Sequence, residues 1–190
     1  MKKTLSAVLA FGLLSTASLF AGTYTVDTEH SSVGFKVKHM MISEVSGKFD
    51  TFSGSIHYDE KTKTIIALNG KIDVNSINTA NAKRDGHLKS AELFDIQKFP
   101  EMTFALDKVK GDKAYGKLTM HGVTKNVVLE LENNGIIKDP WGNQRLGLGL
   151  SGKINRKDYG ITWNTALEAG GVAVGEMVKL DIQLEGILAK

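Results

Sequence analysis

Apolar and polar side chains alternate with a period of two along most of the chain. Val33, Phe35 and Val37 fall on one side, with Lys36 and Lys38 on the other. The same period picks out Ile66, Leu68, Gly70, Ile72 and Val74, then Ala114, Gly116, Leu118 and Met120. It recurs in Val127, Leu129 and Leu131, and in Leu146, Leu148 and Leu150. The longest run, Glu176 to Leu188, sets Val178, Leu180, Ile182 and Leu184 against Lys179, Asp181, Gln183 and Glu185. Successive side chains of a strand point to opposite faces, so these runs predict strands with one buried and one wet face. Short turn signals at Lys110-Gly111-Asp112, His121-Gly122 and Asn133-Asn134-Gly135 predict antiparallel connections. At ~3.3 Å per residue the last run reaches roughly 43 Å, and a tilt of ~40° leaves a body about 30 Å tall. The expectation is an all-β protein, an extended antiparallel β-barrel of about eight strands.

One stretch departs from this period. Thr79 to Leu93 is rich in Ala, Lys, Arg, Glu and Leu and poor in β-branched residues, which predicts a single associated helix. Asn78 or Thr79 is its expected cap, and Gly86 weakens it. Phe99-Pro100 then forces extended backbone into the next strand.

The start of the chain changes the picture of where the barrel works. Met1-Lys2-Lys3 is basic, and Thr4 to Phe20 is apolar apart from small or hydroxylated residues. This is the layout of a secretory signal peptide, with cleavage expected after Ala21 and cleavage after Ala17 as the alternative. Residues 22–190 then form one domain, with no linker, low-complexity tract or internal repeat. Loss of Lys2 and Lys3 lowers the formal net charge from +3 to +1. Along the linear sequence basic and acidic residues are interleaved, with no block of like charge to attract nucleic acid or an anionic membrane. No stable membrane anchor is expected after cleavage. The chain has no cysteine, which excludes thiol catalysis, thiolate metal sites and disulfides.

Candidate chemistry is sparse. Gly147-Leu148-Gly149-Leu150-Ser151-Gly152 matches GxGxxG, but its glycines alternate with leucines inside a predicted strand. A dinucleotide fingerprint must instead join a strand to a helix. The five histidines, at 30, 39, 57, 87 and 121, show no metal-ligand spacing. No catalytic residues and no metal site are assigned. Arg84-Asp85-Gly86-His87-Leu88 concentrates charge and imidazole on the predicted helix. It reads either as a polar collar at a barrel mouth or as an Arg-Asp pair that pins the helix. Arg156, within Asn155-Arg156-Lys157-Asp158-Tyr159-Gly160, reads as a headgroup contact or, preferably, a structural ion pair. Aromatic residues including Tyr159 are core by default and line a cavity only if the barrel is hollow.

Taken in order, these segments resemble the YceI-like family of periplasmic, polyisoprenoid-binding proteins. The resemblance begins at Asp27, His30 and Ser31 and runs through Phe35-Lys36-Val37-Lys38-His39-Met40, Gly47, Phe49, Phe52 and Gly54. It continues through Ser76-Ile77-Asn78-Thr79, Arg84-Asp85-Gly86-His87-Leu88, Phe94-Asp95 and Phe99-Pro100-Glu101-Met102-Thr103-Phe104. Gly116-Lys117-Leu118-Thr119, His121-Gly122-Val123-Thr124-Lys125, Asn155 to Gly160 and Gly175 to Val178 complete it. The resemblance implies a lipocalin-like barrel, periplasmic and often a homodimer. Such a barrel holds a long amphiphile such as a polyprenyl phosphate, an isoprenoid quinone or a fatty amide. On this reading no cofactor is required beyond the bound lipid. The expected apolar lining is Phe35, Val37, Met40, Phe49, Phe52, Leu88, Phe94, Phe104, Leu118 and Trp163. The expected headgroup contacts are His39, Arg84, Asp85, His87 and Arg156. Two alternatives stand beside it: an enzyme acting on such a lipid, and an envelope interaction protein whose cavity is incidental.

Overall fold

The computed structural model describes residues 21–168 and 170–190, so the expected export signal lies, but for Ala21, outside the described residues. In chain order the first strands are β1 (Ala21–Val26), β2 (Ser32–His39), β3 (Ser43–Phe49), β4 (Phe52–Asp59), β5 (Thr64–Asp73) and β6 (Ile77–Asn78). Helix α1 (Ala82–Lys89) follows. Then come β7 (Glu101–Lys110), β8 (Lys113–Met120), β9 (Val123–Lys138), β10 (Gln144–Asn155) and β11 (Val174–Leu188).

Eight strands close the barrel in the order β1-β4-β5-β7-β8-β9-β10-β11, all antiparallel, with β11 returning to β1 at Tyr24↔Leu188. Closure leaves no free sheet edge around this part of the body. The first part of β11 pairs instead with β2, from Val174↔His39 to Gln183↔Ser32. The β2–β3 hairpin and short β6 therefore form a flap on the upper half, while β1 and β4 complete the lower half.

The expected alternation places Leu129, Leu146, Leu148, Leu150 and Ala114 inside. It fails in β5. A bulge lets Ile65 pair with Tyr58 while Ala67 pairs with His57, so Ile66 is the extra residue. Ile65 is accordingly 5% exposed and Ile66 53% exposed, the reverse of the predicted stripe.

Asn133-Asn134-Gly135 is also a bulge and not a turn. Gly147 pairs with Gly135 and Leu148 with Asn133, leaving Asn134 over while β9 runs on to Lys138. Gly135 has φ +81° and donates its N–H to Asn133 Oδ1 at 3.1 Å. The actual turn follows at 139–143, where Asp139 Oδ1 accepts the N–H groups of Trp141 (3.0 Å) and Asn143 (2.8 Å).

The helix is shorter than predicted. Ala80 at φ +58° breaks the chain after Thr79, and Asn81 caps the helix by accepting the N–H of Arg84 at 3.0 Å. Among the described residues no helix is long and apolar enough to cross a membrane.

The β2–β3 turn is unusual. Met40 and Met41 have φ +48° and +63°, and the Ile42 N–H donates to the His39 carbonyl at 3.2 Å. This is type I′ geometry, which ordinarily takes Asn-Gly. An L-residue in the left-handed region costs about 1–2 kcal/mol. The chain nevertheless presents Met40, Met41 and Ile42 there, 45%, 58% and 85% exposed.

Candidate functional site

The upper half of the barrel encloses a cavity of about 350 Å³ with almost wholly apolar walls. Its deepest lining is Val26, Leu68, Leu129, Leu150 and Leu184. Its upper lining includes His39, Trp163 and Val174. Val174 and Leu184 both lie on β11, about 33 Å of strand apart at ~3.3 Å per residue, or roughly 25 Å of axial depth at ~40° tilt. The floor is packed core. Tyr24 and Tyr58 meet edge to face with ring centroids 6.4 Å apart. The Tyr24 hydroxyl accepts from Gln144 Nε2 at 2.8 Å and donates to Glu60 at 3.2 Å. Burial, reinforced by Glu60, pushes the Tyr24 phenol up to about 12.

Of the residues expected to line a cavity, Phe35, Val37, Phe49, Phe52, Leu88, Phe94, Phe104, Leu118 and Trp163 are on its walls. Phe35, Phe49 and Phe94 form a chain of rings with centroid spacings of 5.7 and 6.3 Å. Phe104 lies across Gly116, where an added Cβ would come 2.6 Å from both its ring and the Ala105 carbonyl. A side chain at Gly116 would push this wall inward. Met40 is not on the wall, because the left-handed turn carries it to the surface. Tyr159 is fully buried structural core, and burial raises its phenol to about 12.

The polar expectations divide. His39, Arg84, His87 and Arg156 all line the cavity; Asp85 does not and faces the outer side of the helix. Arg84 and Asp85 form no direct pair and instead clasp Thr79 from two sides. Asp85 Oδ1 accepts from the Thr79 N–H (2.9 Å) and hydroxyl (2.5 Å). Arg84 Nε donates to that hydroxyl at 2.7 Å, and Nη2 to the Thr79 carbonyl at 2.8 Å. The clasp holds the start of the helix over the cavity. His87 lies edge-on to Trp163 at 4.8 Å and bonds Glu92 through Nε2 at 2.8 Å.

The ion pair expected for Arg156 is replaced by carbonyl contacts. The residue is 5% exposed and donates to the carbonyls of Ile161 (2.7 Å), Gly175 (3.0 Å) and Val174 (3.4 Å). Burial of the cation lowers its pKa, opposed by nearby Glu176. Glu176 takes Lys157 as its own partner at 2.5 Å.

A family model described as the YceI-like domain matches residues 24–186, almost all of the described barrel. This chain belongs to the YceI-like family. A UPF0312 protein of Staphylococcus aureus is 40% identical over 163 residues, spanning 85% of this chain and 95% of the relative. The crystal structure of the Campylobacter jejuni YceI protein is 34% identical. It superposes with a TM-score of 0.70 over 88% of this chain and 98% of that one. A polyisoprenoid binding domain from Saccharophagus degradans shares the fold alone, at 18% identity and a TM-score of 0.65 over 87% of this chain and 98% of that domain.

Beneath its cavity this YceI-like barrel carries a charge hub that no motif announced. Arg145 donates to Asp27 Oδ2 (2.8 Å), to Asp139 Oδ2 (2.7 Å) and to Glu185. Asp27 also pairs with His30 at 2.8 Å. Ligand atoms of Asp27, His30 and Glu185 lie within 4.8 Å of one another, a spacing a metal could use. The Arg145 guanidinium already binds both carboxylates of this group, so it is an ion-pair network. The hydrogen bond from Arg145 holds Asp139 well below the usual carboxylate range. The bond from His30 does the same for Asp27 and raises His30 in return. Asp27 and His30 opened the family resemblance, but nothing in the sequence marked Arg145 as their partner, 118 residues along the chain from Asp27.

Proposed function

We propose that this YceI-like barrel holds the hydrocarbon of a long-chain amphiphile, after export to the periplasm, for transport, storage or sequestration. A polyprenyl phosphate, an isoprenoid quinone and a fatty amide all fit the chemistry. The observation that carries the reading is one deep cavity, closed below by packed tyrosines and leucines, with apolar walls for most of its depth. Water gains little there, whereas each methylene moved out of water contributes about 0.8 kcal/mol before the costs of binding are met. Arg84, His87 and His39 sit among the few polar side chains on the lining, where they would orient a headgroup and set selectivity. Support also comes from the Saccharophagus degradans domain, whose description as polyisoprenoid binding accompanies the same fold.

Native mass spectrometry of the protein from its own periplasm, followed by solvent extraction, tests the proposal. A stoichiometric mass excess that extracts as a prenyl or long-chain amphiphile is the expected result. A bare polypeptide mass, unchanged after challenge with prenyl phosphate, quinone and fatty amide, overturns it.

A further inference from the structure

The strand register assembles a surface that the interleaved charges of the linear sequence conceal. On the outer face Lys153 of β10 stands opposite Lys179 of β11, and Lys179 stands opposite Lys36 of β2. Directly opposed side chains lie ~5 Å apart, a spacing at which like charges repel. Lys179 is relieved by Glu44 at 2.6 Å. Among the described residues Lys36, Lys153 and neighbouring Lys38 have no ion pair. Asp181 lies one level deeper, between Ser151 and Gly34. Elsewhere on the barrel Lys71 pairs with Glu101, Lys113 with Glu130 and Lys117 with Asp107, and one further opposed lysine pair, Lys110 with Lys113, lies at the lower end. Strands β10, β11 and β2 thus bring Lys153, Lys179 and Lys36 into one row across three strands.

The upper end of this face is apolar. The Met40-Met41-Ile42 tip projects there, and Met177 is exposed on β11 beside it. Lys38 and His39, at the base of the tip, are also on the cavity lining. An apolar wedge, a row of unpaired lysines and the mouth of an apolar cavity are thus contiguous.

We propose that this face docks on an anionic lipid bilayer. The Met40–Ile42 tip enters the headgroup boundary, Lys36, Lys38 and Lys153 lie over acidic headgroups, and the cavity mouth is brought to the bilayer. Protein–protein interfaces are depleted in lysine, whereas lysine snorkelling beside apolar side chains is the usual make-up of a membrane-surface contact. The tip also explains why methionines occupy a turn that favours Asn-Gly: their side chains are wanted outside. Docking itself is independent of the cargo; only its use, the exchange of a lipid between bilayer and cavity, rests on the proposed function.

The test is flotation of the exported protein, its N-terminus read by intact mass, with vesicles of phosphatidylcholine alone or with about 30% phosphatidylglycerol. Binding is expected only with the anionic vesicles and weakens steeply above about 0.1 M salt. Lys36→Glu/Lys153→Glu is expected to lose at least ~tenfold in partitioning. Met41→Ser/Ile42→Ser is expected to lose roughly fivefold, with unchanged circular dichroism. Lys110→Glu/Lys138→Glu makes the same charge change at the opposite end of the barrel and should bind as the parent does. Absence of flotation with anionic vesicles, or equal loss in both lysine pairs, overturns the docking face. Cargo retained in native mass spectra without vesicle binding overturns docking alone. Vesicle binding by a protein that never carries cargo overturns the proposed function alone.

Discussion

The lower and upper halves of the barrel use the same alternating strands but are filled differently. Below, Tyr24, Ile56, Leu146 and Leu148 are completely enclosed, and Arg145 ties β1, β10 and β11 together through carboxylates around the end. Above, Val37, Leu180 and Phe104 point inward yet remain partly exposed, because they face space. The difference lies in which strands complete the wall. Below it is β1 and β4; above it is the β2–β3 flap, which stands on β11 and ends at the two-residue β6, paired to β3 alone among the described strands. A period-two pattern therefore fixes which side chains point inward, but not whether they meet.

This contrast can be broken most severely at Arg145. Arg145→Met leaves Asp27, Asp139 and Glu185 clustered without their cation, and the melting temperature is expected to fall by on the order of 10 °C. Next, equal truncations should have unequal effects in the two halves. Leu148→Ala is expected to lose about 2–5 kcal/mol in denaturant unfolding, the usual range for an enclosed leucine. Leu180→Ala, on the cavity wall, should lose less than ~1.5 kcal/mol, because it enlarges a space that already exists. Equal losses at the two positions would show that the upper half is packed as tightly as the lower.

The reverse change sharpens the contrast. Val178→Phe projects into the cavity and should alter stability by less than ~1 kcal/mol while cutting lipid loading at least tenfold, read by native mass spectrometry. The smallest effect is that of pH. Asp27 and Asp139 are held below their ordinary value of 3.8, so their contribution is complete above that pH and is lost as pH falls further. His30 is raised above 6.5, so its contribution is complete below 6.5 and fades as pH rises through the raised value. Asp139→Asn should therefore make the acid-side fall of the unfolding midpoint shallower, and His30→Gln should flatten the alkaline side.

The strands were legible because alternation is a local property. Phe35 followed from it, since a residue's inward or outward direction depends only on its neighbours; the other wall aromatics were expected only from the family resemblance. The failures arose where one extra residue reverses direction. Ile66 belongs by pattern with Leu68, but a bulge across from Tyr58 gives the inward place to Ile65. Asn133-Asn134-Gly135 has turn chemistry, and the same positive φ and side-chain cap serve equally well for a bulge. The helix start was misplaced because Asn78, Thr79 and Asn81 are all good caps. Only the left-handed Ala80 decides among them. The Arg145 hub and the lysine row were hidden for another reason: both depend on pairing between segments far apart in sequence.

Strand β11 has a further consequence, for the order of events during folding. It is the last of the described strands in chain order, and it is shared by β10, β1 and β2. The pairing Tyr24↔Leu188 joins the two extremes of the described chain. Contacts of such long sequence separation form late and slowly, because the loop entropy is lost before they contribute. Neither the barrel nor its cavity can close until β11 has been made and has reached β1. The partly made chain is thereby kept open by its own topology until β11 is there to pair with both β10 and β1.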